Sequence, residues 1–307
     1  MANRARLGGY ALVAYLLSWA CWLPLALTHR VVHVGGWPTH LPGLLGPAAA
    51  AFALTALTLG RTGLRDLAAR VLRWRIGWWW LVALSPVALL GLGLAGNALT
   101  GTPAHGPDLW RINGFPTWGP VGVLALLLVV NGLGEETGWR GYLQPALQRR
   151  VRPLTAMLIV ALVWAGWHAP LFAILEGYRG FTPLTLIGFL IGLASGAVVL
   201  GWLYNRTGSV LAVAVWHATY NLAAATVAAR GLIAALSTTA VIGAAVILVI
   251  ADLRTGGRTL APAAHTKGPV GPGGTGPVAL TDSVRVSQCG EHPPYVQREG
   301  TGRGNHH

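Results

Sequence analysis

Apolar residues in this chain fall in long runs separated by short polar connectors. The runs cover about 8–27, 41–60, 78–97, 119–148, 154–175, 183–204, 209–229 and 231–251. Several exceed the ~18 to 20 apolar residues that a helix needs to span a bilayer, and none shows the two-residue alternation of a transmembrane β-barrel. The pattern predicts an all-α fold: a polytopic membrane helix bundle of about eight transmembrane helices over residues 1–252. After residue 252 the apolar period is lost. Residues 253–307 are rich in Gly, Pro and Thr, the composition of a disordered tail.

Composition agrees with this pattern, since 53% of residues are hydrophobic and only 10% charged. A net charge of +13 would suggest nucleic acid in a soluble chain. Here the basic residues sit between the runs and unequally on the two sides, so no nucleic-acid partner is expected. Arg4 and Arg6 precede the first run. Arg61, Arg65, Arg70, Arg73 and Arg75 follow the second, Arg149, Arg150 and Arg152 the fourth, and Arg206 the sixth. An even number of spans and the positive-inside rule place both termini in the cytoplasm of an integral membrane protein, expected in a bacterial plasma membrane, with anionic lipid as a contact of the basic loops. The segment 61–75 interleaves arginines with Leu64, Leu67, Val71, Leu72 and Trp74, as suits a helix lying in the interface before the aromatic belt Trp78, Trp79 and Trp80. The two cysteines, Cys21 and Cys289, form no metal motif and no disulfide framework.

The fourth run contradicts its own hydropathy. Residues 131–145 read NGLGEETGWRGYLQP and put Glu135, Glu136 and Arg140 where a membrane helix should continue. A charge at mid-membrane costs roughly 2.5 to 3.5 kcal/mol on insertion scales, so such a cluster calls for partners and points to function. The partners lie in the fifth and seventh runs, which carry His168, and His217 with Asn221. Positions four apart share a helix face. Glu136 thus aligns with Arg140, Trp164 with His168, and His217 with Asn221. At ~1.5 Å per residue Glu135 lies about 21 Å from Arg149 and His168 about 22 Å from Pro153, whereas His217 is only about 14 Å from Gly208. Trp139, Trp164, Trp167 and Trp216 flank the polar positions as candidate pocket walls.

Three ordered motifs emerge: EExxxR at Glu135, Glu136 and Arg140, an aromatic with a His four residues on at Trp164 and His168, and HxxxN at His217 and Asn221. Together they resemble the CAAX prenyl endopeptidase and bacteriocin-processing family of intramembrane proteases, also called CPBP or ABI. Trp164 departs from the family's more frequent Phe. The resemblance covers the fourth to seventh runs. It implies that Glu135 and His168 activate water, that His217 and Asn221 stabilise the oxyanion, and that Glu136 and Arg140 hold the helix. Such proteins are commonly labelled metalloproteases. A zinc ion held by Glu135, His168 and His217 is the alternative to a metal-free glutamate mechanism, although a metal-bound Glu135 would not also serve as base. The expected substrate is a membrane-associated peptide or protein, with prenylation left open. A non-catalytic immunity or peptide-binding protein, or a transporter, is the competing class.

Overall fold

The computed structural model describes residues 2–37 and 39–263. The expected disordered tail lies, from residue 264 onward, outside the described residues. The protein is an all-α membrane bundle; among the described residues the only extended pairings are the isolated bridges Val32–Leu175, Val34–Asn113 and Ile112–Thr226, which tie loops together.

Each apolar run yields a helical segment: α1 (Ala2–Leu27), α2 (Gly46–Val71), α3 (Ser85–Leu99), α4 (Gly119–Gln148), α5 (Pro153–Trp167), α6 (Pro183–Thr207), α7 (Val210–Ala224) and α8 (Leu232–Arg254). Five of them are long and apolar enough to cross a membrane alone, these being α1, α4, α5 with its extension to Ile174, α6 and α8. The helices α3 and α7 are apolar but have 15 residues each. That is about 22 Å of helix against a hydrocarbon core of ~30 Å. The short helices Leu41–Leu44 and Trp79–Ala83 precede α2 and α3.

The basic segment after the second run is helical only in part. A break at Gly60, whose φ is 61°, separates 61–71 from the rest of α2, and the helix stops at Val71 rather than continuing to Arg75. The Ser209 hydroxyl donates to the Arg73 carbonyl at 2.5 Å, which holds that carbonyl away from helical geometry. At the other boundary, residues 255–263 fold back onto α6. The Asn205 amide donates to Leu260 O at 2.7 Å, and Asp252 accepts from Leu260 N at 2.8 Å.

The helix α4 is the element around which the bundle closes. Its backbone is wound wider than an α-helix over Leu127–Leu133 and Trp139–Leu143, with a normal turn, Gly134–Gly138, between them. Such i→i+5 turns recur at functional sites because they redirect side chains within a helix. Glycines allow the neighbours in. A Cβ on Gly132 would lie 2.6 Å from Ala214 O of α7, and one on Gly138 would lie 2.6 Å from Pro47 Cβ and 2.7 Å from its carbonyl carbon at the start of α2.

This close approach makes a stability prediction. Gly138→Ala pushes α2 from α4 and should cost about 1–3 kcal/mol, the usual range for overpacking. Gly243→Ala on α8, where a new Cβ meets nothing within 4 Å, is the control. Thermal unfolding in detergent should show a lowered Tm for the first variant alone.

Candidate active site

In α4 the two adjacent glutamates point to different partners. Consecutive helical residues are separated by about 100° around the axis. Glu136, fully buried, faces α7 and Arg140: Arg140 Nη1 lies 2.9 Å from both of its oxygens, and His217 Nδ1 lies 2.8 Å from Oε1. Arg140 is itself fully buried, with its Cζ 4.8 Å from the Trp164 ring centroid. A carboxylate, a guanidinium and an imidazole are thus grouped where no solvent reaches them. Buried charges persist only when paired in this way.

Glu135 has no such counter-charge in hydrogen-bond contact. Its Oε1 accepts from Asn131 Nδ2 at 2.5 Å and its Oε2 from Trp164 Nε1 at 2.7 Å, so both oxygens are held by neutral donors. Asn131 in turn accepts from Asn221 Nδ2. The chain of contacts Asn221, Asn131, Glu135, Trp164 therefore runs from α7 through α4 to α5.

His168 follows the last residue of α5, two positions before Pro170. Its Nδ1 lies 2.7 Å from Trp164 O, one of the carbonyls that a helix C-terminus leaves without an amide partner. A carbonyl only accepts, so Nδ1 carries the proton and, in the neutral ring, Nε2 presents its lone pair. Trp164 lies between the two histidines, its ring centroid 5.8 Å from His168 and 5.4 Å from His217. Trp167 packs its edge on His168 at 5.0 Å and is pinned to α1, donating to Ser18 Oγ at 2.7 Å while its carbonyl accepts from Trp19 at 3.0 Å. Phe189 of α6 covers His168 at 5.5 Å.

All the residues expected at the site, namely Glu135, Glu136, Arg140, Trp164, His168, His217 and Asn221, are linked by these contacts. The depth mismatch of His217 resolves because α7 starts inside the bundle: a Cβ on Gly141 would meet Val210 at 3.3 Å, so the base of α7 is level with Gly141 rather than Arg149. Asn131 is the participant that motif spacing did not single out, although its place four residues before Glu135 is a usable signal. Trp164 also has an unforeseen part, since its indole N–H gives Glu135 a hydrogen bond that a Phe ring has no means to give. Of the other candidate walls, Trp139 packs on Trp167 at 5.8 Å and Trp216 stacks on Tyr220 at 5.2 Å.

A zinc site at Glu135, His168 and His217 does not fit this arrangement. Both Glu135 oxygens are engaged by hydrogen-bond donors, and among the described residues no three His, Cys, Asp or Glu side chains converge as a metal-ligand set.

Comparison with known proteins places this geometry. Residues 117–223, which hold the seven expected residues and Asn131, match the family model described as "Type II CAAX prenyl endopeptidase Rce1-like". The resemblance carried by the three motifs is therefore shown over α4 to α7. The chain is also 32% identical over 108 residues to CAAX prenyl protease 2 of Methanococcus maripaludis, a match covering 33% of this chain and 39% of that protein's length.

Three substitutions test the site without an activity assay. Trp164→Phe keeps an aromatic ring but leaves a buried Glu135 oxygen without its donor, which costs ~1–3 kcal/mol. In a double-mutant cycle of thermal stability with Glu135→Gln, the two changes should be non-additive by ~1 kcal/mol; strict additivity would contradict the bond. Arg140→Met leaves the Glu136 carboxylate with His217 alone and should cost roughly 3–5 kcal/mol, read as loss of folded protein on size exclusion.

Proposed function

We propose that the chain is an intramembrane endopeptidase that hydrolyses a peptide bond in a membrane-associated, CAAX-type prenylated peptide or protein. One observation carries the reading: of two adjacent buried glutamates, Glu136 is committed to Arg140 and His217, whereas Glu135 is held by neutral donors alone beside a histidine whose Nε2 is left as an acceptor. A carboxylate without a bound counter-charge is free to take a proton, the first requirement of a general base.

In this reading a water molecule between Glu135 and His168 Nε2 loses a proton to Glu135 as its oxygen attacks the scissile carbonyl. The negative charge moves to the carbonyl oxygen. His217 Nε2 and the second amide hydrogen of Asn221 donate to that oxyanion; for His217 to donate from both nitrogens the ring must be cationic, and Glu136 is its counter-ion. Collapse of the tetrahedral species breaks the C–N bond, and the proton on Glu135 goes to the leaving amine. An oxyanion donor of this kind is worth about 10² to 10³ in rate. No step is routed through a metal. The reading keeps both termini on the cytoplasmic side, where the arginine-rich connectors lie.

The test is hydrolysis of a prenylated CAAX peptide by the purified chain in detergent or nanodiscs. Product should form, unchanged by 1,10-phenanthroline, and His168→Ala should slow it by roughly 10² to 10⁴. Peptide that binds but is never cut would replace the protease with a peptide-binding protein, and loss of activity on chelation would restore the zinc alternative.

A further inference from the structure

At the basic end of the bundle, away from the glutamates, the chain builds a cavity. It measures about 280 Å³ and is lined by Arg73, Arg75, Trp78, Trp79, Arg206 and Thr207 over a floor of Ile76. Three arginines thus line one cavity from two chain segments, the Arg75 guanidinium lying over the Trp74 ring at 5.2 Å, and among the described residues no carboxylate lines it. The nearest acid on the basic helix, Asp66, is engaged by Arg70 at 2.9 Å.

The strap that carries two of these arginines is fixed rather than loose. The Arg73 carbonyl accepts the Ser209 hydroxyl at 2.5 Å, and the Trp74 carbonyl accepts Trp80 Nε1 at 2.9 Å and Ile76 N at 3.0 Å. Trp79 stacks on Trp78 at 4.1 Å and meets Trp202 of α6 edge-on at 5.4 Å, which sets the aromatic wall. Arg206 is held by donating to Thr259 O at 2.7 Å, so its charge is positioned beside the cavity. Beside the cavity the surface carries large apolar side chains: Leu72, Trp74 and Trp78 are each more than 60% exposed.

Clustered arginines select phosphate oxygens. An exposed tryptophan and leucine rim beside them is the signature of the membrane interface. We propose that this cavity binds the phosphodiester headgroup of an anionic phospholipid, with Arg73, Arg75 and Arg206 around the phosphate and the Trp78 and Trp74 rims against its acyl glycerol. The same Ser209 hydroxyl that donates to Arg73 O also accepts from Ala212 N and caps α7. A headgroup seated on the strap therefore braces the base of the helix that carries His217 and Asn221. This site is independent of the protease reading, because its test needs no turnover.

The full chain in neutral detergent is titrated with phosphatidylglycerol, phosphatidylcholine or inorganic phosphate while its Tm is followed. Phosphatidylglycerol should raise Tm and the other two should not. Arg73→Gln and Arg75→Gln should each raise the phosphatidylglycerol concentration for half-maximal shift about fivefold, the equivalent of ~1 kcal/mol per basic residue at an anionic surface. Arg65→Gln, on an exposed position outside the cavity, should leave it unchanged. Should Arg73→Gln not fold, the exposed Arg75 decides the matter. The proposal is overturned if Arg65→Gln weakens the response as much as Arg75→Gln, if phosphatidylcholine stabilises equally, or if phosphate alone reproduces the shift and so reduces the site to an inorganic anion site.

Discussion

The buried ion group of Glu136, Arg140 and His217 is the constraint on which the rest of the structure depends. A carboxylate or guanidinium with no partner inside a membrane is costly. Arg140 and His217 share the Glu136 carboxylate at 2.8 to 2.9 Å, and they stay paired with it only if α4 and α7 stay in register. That register in turn brings Asn221 to Asn131, and Asn131 to Glu135. Placement of the candidate reactive carboxylate is thus a consequence of how its neighbour is neutralised.

Helix geometry explains how adjacent residues take such different parts. In a uniform α-helix Glu135 and Glu136 would diverge by a fixed angle, whatever their partners required. The widened turns on either side of Gly134–Gly138 let this one turn rotate relative to the rest of α4. Gly132 and Gly138 then let α7 and α2 approach to near backbone contact. The polar residues are rigid because ordinary packing surrounds them: Trp139, Trp164 and Trp167 are almost fully buried and interlock from α4 and α5.

Much of this was legible in the sequence because its information is local. Charges inside an apolar run, and side chains four positions apart, report a helix face without reference to any neighbour. The seven residues that the structure brings into contact were singled out on that basis, as was the all-α membrane class. What depended on contacts between helices was not readable. Spacing does not say that His217 pairs with Glu136 rather than Glu135, that Asn131 bridges α4 and α7, or that α7 starts level with Gly141. Length estimates also exceeded what hydropathy supports: α3 and α7 are apolar but short, and α2 breaks at Gly60. The fold-back of 255–263 rests on hydrogen bonds to Asn205, Arg206 and Asp252, which composition has no means to reveal.

The division of labour between the two glutamates is the central claim, and a paired substitution tests it most directly. Glu135→Gln and Glu136→Gln remove the same charge from neighbouring positions, and each purified variant is measured for Tm and for peptide hydrolysis. The account predicts that Glu135→Gln, which gives up one of two accepted hydrogen bonds, lowers Tm less than Glu136→Gln does, while hydrolysis falls by at least about 10². Glu136→Gln should lower Tm, since it leaves Arg140 and His217 without their anion. Hydrolysis that survives Glu135→Gln, or two variants that cannot be told apart in stability, would contradict it.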